Sequence, residues 1–151
     1  MKLADGRAVE FRKSIPDDFE FVFVLEESLR RDGAAAWNAT AERVKTAKSF
    51  RPGEDLIVRV GGIDVGLLAL GSYKELLWLR RLELLPEAQR LGIGTTIIKH
   101  VLHGANAKGA GVFLRIRKGN PARKLAERLG FVQSGETKAE DEMIAPPESK
   151  R

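Results

Sequence analysis

Pro86-Glu87-Ala88-Gln89-Arg90-Leu91-Gly92-Ile93-Gly94 decides how the rest of this chain is read, because it joins an apolar strand to a helix through glycines. Upstream, residues 76–85 set Trp78, Leu82 and Leu84 in alternation with charged residues, the period of a strand, and Pro86 ends it. Downstream, Ile93, Ile97, Ile98, Val101, Leu102 and Ala105 recur at helical spacing and give one apolar face. A helix that opens on Gly92 and Gly94 leaves several backbone N–H groups without partners. With no side chain at either glycine an anion can come close to them, and the helix dipole favours it. The stretch predicts a cradle for a phosphate or pyrophosphate.

Two phosphate motifs fail on residues. A dinucleotide fingerprint needs a third glycine where Ile97 stands, and an acidic residue about 20 positions on that is missing here. A Walker-type loop needs Gly-Lys-Ser/Thr, whereas Gly94 is followed by Thr95-Thr96. Gln89-Arg90-Leu91-Gly92-Ile93-Gly94 instead matches Gln/Arg-x-x-Gly-x-Gly/Ala, the acyl-CoA signature of the GNAT superfamily of N-acetyltransferases. Asn120-Pro121-Ala122-Arg123-Lys124-Leu125-Ala126-Glu127-Arg128-Leu129-Gly130-Phe131 resembles the second motif of many bacterial members. Its local physics agrees. Pro121 suits the first helical position, Leu125 and Leu129 form an i, i+4 apolar pair, and Gly130 can take the left-handed conformation that stops a helix. Gly135-Glu136-Thr137 and Met143 resemble the last strand of such proteins, so the resemblance runs over residues 8–144.

Composition sets the bounds. At 151 residues the chain suits one domain, enough to bury roughly 68–70% of its unfolded surface. No repeat, linker or low-complexity block divides it, and residues 1–7 and 145–151 are polar or proline-bearing and read as mobile ends. No apolar run is long enough to span a bilayer and no signal segment is evident, so a cytoplasmic location is expected. There is no cysteine, which excludes disulfides, thiolate metal sites and a cysteine-bound acyl intermediate. Acyl transfer must therefore be direct, or use another residue type. Lys+Arg exceed Asp+Glu by 26 to 21, a net charge of +5. Most of these charges read as solvated surface. Arg90, Arg115, Arg117, Lys118, Arg123, Lys124 and Arg128 gather around the two motifs, where a ligand with a pyrophosphate and a ribose phosphate would be drawn. Nucleic acid is a weaker alternative, since no aromatics interleave the basic stretches and no helix-turn-helix or zinc pattern is present.

The remaining elements follow from period and punctuation. Residues 8–12 read as a strand, and Ser14-Ile15-Pro16-Asp17 as a helix start with Ser14 as cap and Asp17 reaching back. Residues 19–25 alternate like a strand, but the capping signal and the polar continuation 26–31 favour a helix. A second helix is expected over 34–48. Residues 55–60 and 63–70 are strands joined by Gly61-Gly62, a two-residue hairpin signal. After the loop and its helix come a turn at 108–111, a strand at 112–117, a helix at 121–129 and a final strand within 131–143. The order β-α-α-β-β-β-α-β-α-β is that of the GNAT fold: an α/β (α+β) arrangement, a mixed twisted sheet of about six strands and about four helices. In that fold the sheet is splayed between the fourth and fifth strands, where the cofactor enters.

What the resemblance implies for single residues can be set beside their plainer roles. The amides of Arg90, Leu91, Gly92, Ile93, Gly94 and Thr95 would bind the pyrophosphate of acetyl-CoA, with Gln89 and the Thr95 hydroxyl adding polar contacts. Leu82 and Leu84 would offer main-chain groups to the pantetheine arm while their side chains join the core. Asn120 would hydrogen-bond that arm or cap its helix, and Arg123 would meet a phosphate or sit as an exposed helix charge.

Transfer also needs an amine without its ammonium proton, because an ammonium has no lone pair to attack a thioester. A carboxylate beside the thioester is the usual device. Glu83 interrupts the apolar run just before the loop, and many GNAT enzymes carry an acidic base on this strand. Its alternative is a salt bridge to Arg81, Arg115 or Arg117. A tyrosine of the second motif often protonates the leaving thiolate in this superfamily. Here that position is Ala126, and Tyr73, assigned to a loop, does not replace it. Water can serve instead, since thiols ionise near pH 8.5. His100 and His103 lie one turn apart with no third ligand and read as surface residues. Trp37 and Trp78 read as core, with Trp37 a candidate to line the acceptor pocket.

The expectation is an acetyl-CoA-dependent N-acetyltransferase acting on a primary amine of a small molecule or peptide, without metal or membrane. The alternative is a non-catalytic acyl-CoA-binding or sensor domain, motivated by Ala126. Neither the acceptor nor the choice between monomer and homodimer is written in the sequence.

Overall fold

The computed structural model describes residues 1–29 and 37–148. The chain runs β1 (Val9–Lys13), α1 (Phe19–Leu29), α2 (Ala39–Ser49), β2 (Leu56–Val60), β3 (Ile63–Tyr73), β4 (Leu76–Leu84), α3 (Ile93–Ala107), β5 (Val112–Arg117), α4 (Ala122–Arg128), β6 (Val132–Glu136) and β7 (Glu140–Ala145). Short 3-10 turns at Pro16–Asp18 and Pro86–Ala88 lead into α1 and the glycine loop. The strands lie in the order β1-β2-β3-β4-β5-β7-β6. The β1–β2, β2–β3, β5–β7 and β6–β7 pairs are antiparallel and β4–β5 is parallel, so the sheet is mixed as expected. The β4–β5 ladder consists of Leu77↔Val112 and Trp78↔Phe113. Among the described residues there are seven strands rather than about six, because the segment expected to hold one final strand forms a hairpin, β6 and β7. Thr137 closes it, its N–H donating to the Glu140 carbonyl at 2.8 Å and its Oγ1 accepting from the Glu140 N–H at 3.0 Å.

The chain forms two compact units, Met1–Ala69 with Arg81–Gly94, and Leu70–Arg80 with the residues from Thr95 on. In the first, Val22 and Leu25 of α1, Phe50, Ile57 of β2 and Leu67 of β3 make a buried cluster, against which Phe19, Phe21 and Leu85 pack. The alternation in 19–25 is thus overridden. Residues three apart on α1, Val22 and Leu25, face this cluster at helical spacing. Gly61 (φ 59°) and Gly62 (φ 82°) form the expected left-handed hairpin turn. Opposite it, Val58 pairs with Gly66 and Arg59 with Asp64, so Val65 is an extra residue, a β-bulge. The Val65 carbonyl accepts from the N–H of Leu85 at 2.8 Å and ties the end of β4 to β3.

In the second unit Ile97, Val101, Leu102 and Ala105 of α3 are buried, as are Val112, Phe113 and Leu114 of β5, Ala126, Phe131 and Met143. The apolar stripe of α3 therefore faces inward as its spacing predicts.

Four expectations are corrected. Ser14 is not a helix cap. It is buried, and its Oγ and N–H both donate to the carbonyl of Asp55, at 2.6 and 3.0 Å. The turn is closed by Asp18, whose Oδ2 accepts from the Ile15 N–H at 2.8 Å, rather than by Asp17. Tyr73 ends β3 instead of lying in a loop, and its ring stacks on Phe113 with centroids 4.0 Å apart. The first residues are tied down as well. Lys2 bridges to Ala8, the Val9 N–H donates to Met1 O at 2.8 Å, and Leu3 is buried. Of the second predicted helix, the part before Trp37 lies outside the described residues.

Candidate active site

The glycine loop joins the end of β4 to α3. Arg90 (φ 64°) and Gly92 (φ 78°) are left-handed and Leu91 between them is not, the kind of alternation that curves successive N–H groups into an anion-binding concavity. Among the described residues no backbone carbonyl accepts from the N–H of Arg90, Leu91 or Gly92, and α3 begins at Ile93 with its first-turn amides unbonded by helix geometry. A β-carbon built on Gly92 would meet nothing within 4 Å, so the space in front of the loop is open. On Gly94 it would reach Leu84 Cδ1 at an ordinary 3.9 Å. Residues 90–95 are therefore the ones that could hold a pyrophosphate. Gln89 is exposed and folds back onto the strand, its Nε2 donating to the Leu84 carbonyl at 3.0 Å. That bond fixes the loop to β4 and occupies one of the main-chain groups assigned to the pantetheine arm. Leu82 and Leu84 are half-buried.

Glu83 is also half-buried and does pair with Arg81, whose Nη2 donates to Glu83 Oε1 at 2.9 Å. Arg115 makes its ion pair with Glu142 at 3.0 Å instead. Sequence reasoning missed a third charge. The same Nη2 of Arg81 also donates to Oε1 of Glu26 on α1, while Nη1 donates to Ser49 Oγ at the end of α2, 3.2 Å away. Burial works against the charged Arg81 guanidinium, but Glu83 first and Glu26 second outweigh it and raise its pKa above the ordinary value. No local signal marks Glu26, a polar position on an amphipathic helix. Only the tertiary fold brings it to β4.

In the second unit the proposed ligand contacts have protein partners. Asn120 Oδ1 accepts from the N–H of Ala122 at 2.9 Å, the capping role. Arg123 donates to Asp141 Oδ2 at 2.7 Å and to Gln133 Oε1 at 2.9 Å, and pairs with Glu127. Lys118 pairs with Glu136. Ala126 is buried. Arg117, Lys124 and Arg128 are exposed, as is Arg90 in the loop. His100 and His103 are exposed, and among the described residues no group of three or more His, Asp or Glu could hold a metal. No helix among them is long and apolar enough to cross a membrane. Trp78 meets Tyr73 and Phe113 edge-on. Trp37 packs on Phe23 with ring centroids 5.8 Å apart.

A family model for the acetyltransferase (GNAT) family matches residues 18–131. The chain belongs to the GNAT acetyltransferases, whose cosubstrate is acetyl-CoA. Solved structures with a similar fold include the PaiA N-acetyltransferase from Thermoplasma acidophilum in complex with coenzyme A (TM-score 0.74, 20% identity, covering 92% of this chain and 99% of that one). The ribosomal-protein-S18-alanine N-acetyltransferase from Escherichia coli gives a TM-score of 0.65 at 20% identity, over 93% and 94% of the two chains. Arabidopsis thaliana Naa50, in complex with the bisubstrate analogue CoA-Ac-MVNAL, gives 0.59 at 16% identity, over 90% and 96%. No curated protein matches the chain.

Proposed function

We propose that this protein moves the acetyl group of acetyl-CoA directly onto a primary amine. The observation that carries the reading is the open loop at residues 90–95, with left-handed Arg90 and Gly92, free space before Gly92 and amides without backbone acceptors. These amides hold the pyrophosphate, and Gln89 keeps the loop fixed to β4 through Leu84. Glu83 takes the proton from the acceptor ammonium, directly or through a water. The amine nitrogen then attacks the thioester carbonyl carbon. A C–N bond forms, the C–S bond breaks, and the thiolate takes its proton from water, as no tyrosine stands at position 126. Asn120 and Arg123 act as cap and surface clamp, supported by their bonds to Ala122, Asp141 and Gln133. The acceptor is a small-molecule or peptide amine, of which the bisubstrate analogue bound to Naa50 is one chemical example.

A thermal-shift titration with acetyl-CoA, CoA, NADH and ATP tests the cradle. Ligand at 100 times its Kd adds about 2.7 kcal/mol, which raises Tm by roughly 5–10 °C in a domain of this size. The two CoA species alone should do so, and no rise with either ends the reading. Release of CoA thiol with a panel of polyamines, amino acids and peptides then identifies the acceptor class. The non-catalytic acyl-CoA-binding alternative, favoured by Ala126, requires tight CoA binding with no turnover across that panel.

A further inference from the structure

We propose that Arg81 is a positioning residue for the reaction, a clamp that holds the Glu83 carboxylate in place against the like charge of Glu26. The inference rests on Glu83 being the base. Oxygens of both carboxylates bond the single Nη2 atom of Arg81, so the two acids are forced to one point. Nη1 reaches Ser49 Oγ, so α1, the end of α2 and β4 all meet on one guanidinium. A planar, multi-donor cation suits this better than lysine, whose ammonium is a point charge without the fixed fork. The side chains of Arg81, Glu26 and Glu83 are 14%, 20% and 23% exposed, too little for water to screen the acids from each other.

The division of charge matters as much as its presence. Without the cation, two acids in one place drive one of them to keep a proton at neutral pH, and a protonated Glu83 accepts nothing. With the cation wholly its own, Glu83 would be a poorer proton acceptor. Sharing Arg81 with Glu26 orients the Glu83 carboxylate without giving it a cation of its own. Arg81, on the same strand, bonds the Glu83 side chain directly, Glu26 from α1 and Ser49 at the end of α2 reach it through Arg81, and the bare Gly66 of β3 lies against the Glu83 backbone.

The test reads Glu83 itself. In protein carrying 13C at the glutamate side-chain carboxyls, the Glu83 resonance is assigned by its loss in Glu83→Gln and followed against pH. In Arg81→Met its midpoint should rise by about one pH unit or more, and adding Glu26→Gln should reverse most of that rise. A midpoint that stays put in Arg81→Met overturns the inference. If Arg81→Met does not fold, Glu26→Gln alone answers the same question. Arg81 then serves a single carboxylate and the Glu83 midpoint should fall, whereas no change overturns the proposal. Turnover of Glu83→Gln, on the amine that the wild-type protein acetylates best, tests the base separately. Full turnover there removes Glu83 as base, and the positioning role with it, even where the titration follows Arg81. A titration indifferent to Arg81 refutes the clamp alone.

Discussion

Gly66 on β3 lies so close to Glu83 on β4 that a β-carbon would overlap the Glu83 carbonyl oxygen and come within 2.7 Å of Leu84 Cδ2. The bulge at Val65 and the bond from Leu85 to the Val65 carbonyl hold the strands at this separation. In Gly66→Ala the Leu84 side chain can turn away, but the nearest atom is backbone and cannot. It should cost about 1–3 kcal/mol, the range for overpacking, and lower kcat as β4 shifts under Glu83. A variant with unchanged Tm would show that the strands part without cost.

The two loop glycines should answer differently. Gly92 is left-handed, so a β-branched residue there is strained whatever the space around it, and its side chain would project into the open face of the cradle. Gly92→Val should weaken acetyl-CoA binding by tenfold or more, about 1.4 kcal/mol. Gly94 has ordinary helical freedom, and a β-carbon there makes normal contact with Leu84. Gly94→Ala should leave affinity close to wild type and gain up to about 1 kcal/mol from helix propensity. Calorimetric titration of both variants with acetyl-CoA decides. Equal losses would mean that the phosphate sits elsewhere.

Acid should unfold this protein partly through Asp18. Both its oxygens accept from Arg12, at 2.9 and 2.8 Å, and Arg12 also reaches Asp64 at 2.8 Å. The Arg12 hydrogen bonds hold the Asp18 carboxyl below its ordinary value of 3.8, against the upward push of burial and with help from the Ile15 amide. A depressed acid contributes stability above its unfolded pKa and loses it as pH falls through the folded value. Asp18→Asn should therefore cost about 1.5–3 kcal/mol at pH 7. The gap to wild type should close as pH drops below about 4. Urea melts at pH 7, 5 and 3 give the comparison, and a gap independent of pH would remove Asp18 from acid unfolding.

How far the sequence could be read depends on how local each cause was. The loop, the start of α3 at Ile93 and the strand Val112–Arg117 were legible because glycines, prolines and apolar period act over a few residues. The Glu83–Arg81 pair was legible as an alternative, since residues two apart on a strand share a face. Ser14 was misread because its partner is the Asp55 carbonyl, 41 residues away, and a buried serine looks like a capping serine in sequence. The β6–β7 hairpin was missed because Thr137-Lys138-Ala139 carries none of the glycine, asparagine or proline that marks a turn. Glu26 could not be found, since it meets Arg81 from 55 residues away.

Gly61-Gly62 turns β2 into β3 within two residues, and Lys74 and Glu75, both left-handed (φ 46° and 68°), stand between β3 and β4. These three strands find one another as sequence neighbours, whereas β1 must close on β2 through Val9 and Val60, across both early helices. Short loops close at little entropic cost, and contacts near in sequence form fastest. Pulse-labelled hydrogen exchange should then find the amides of β3 and β4 protected before those of β1, and simultaneous protection would refute that order. The strand bearing Glu83 would acquire its register from a hairpin, ahead of the helix that supplies Glu26. The carboxylate proposed as proton acceptor would be in place before its surroundings fold around it.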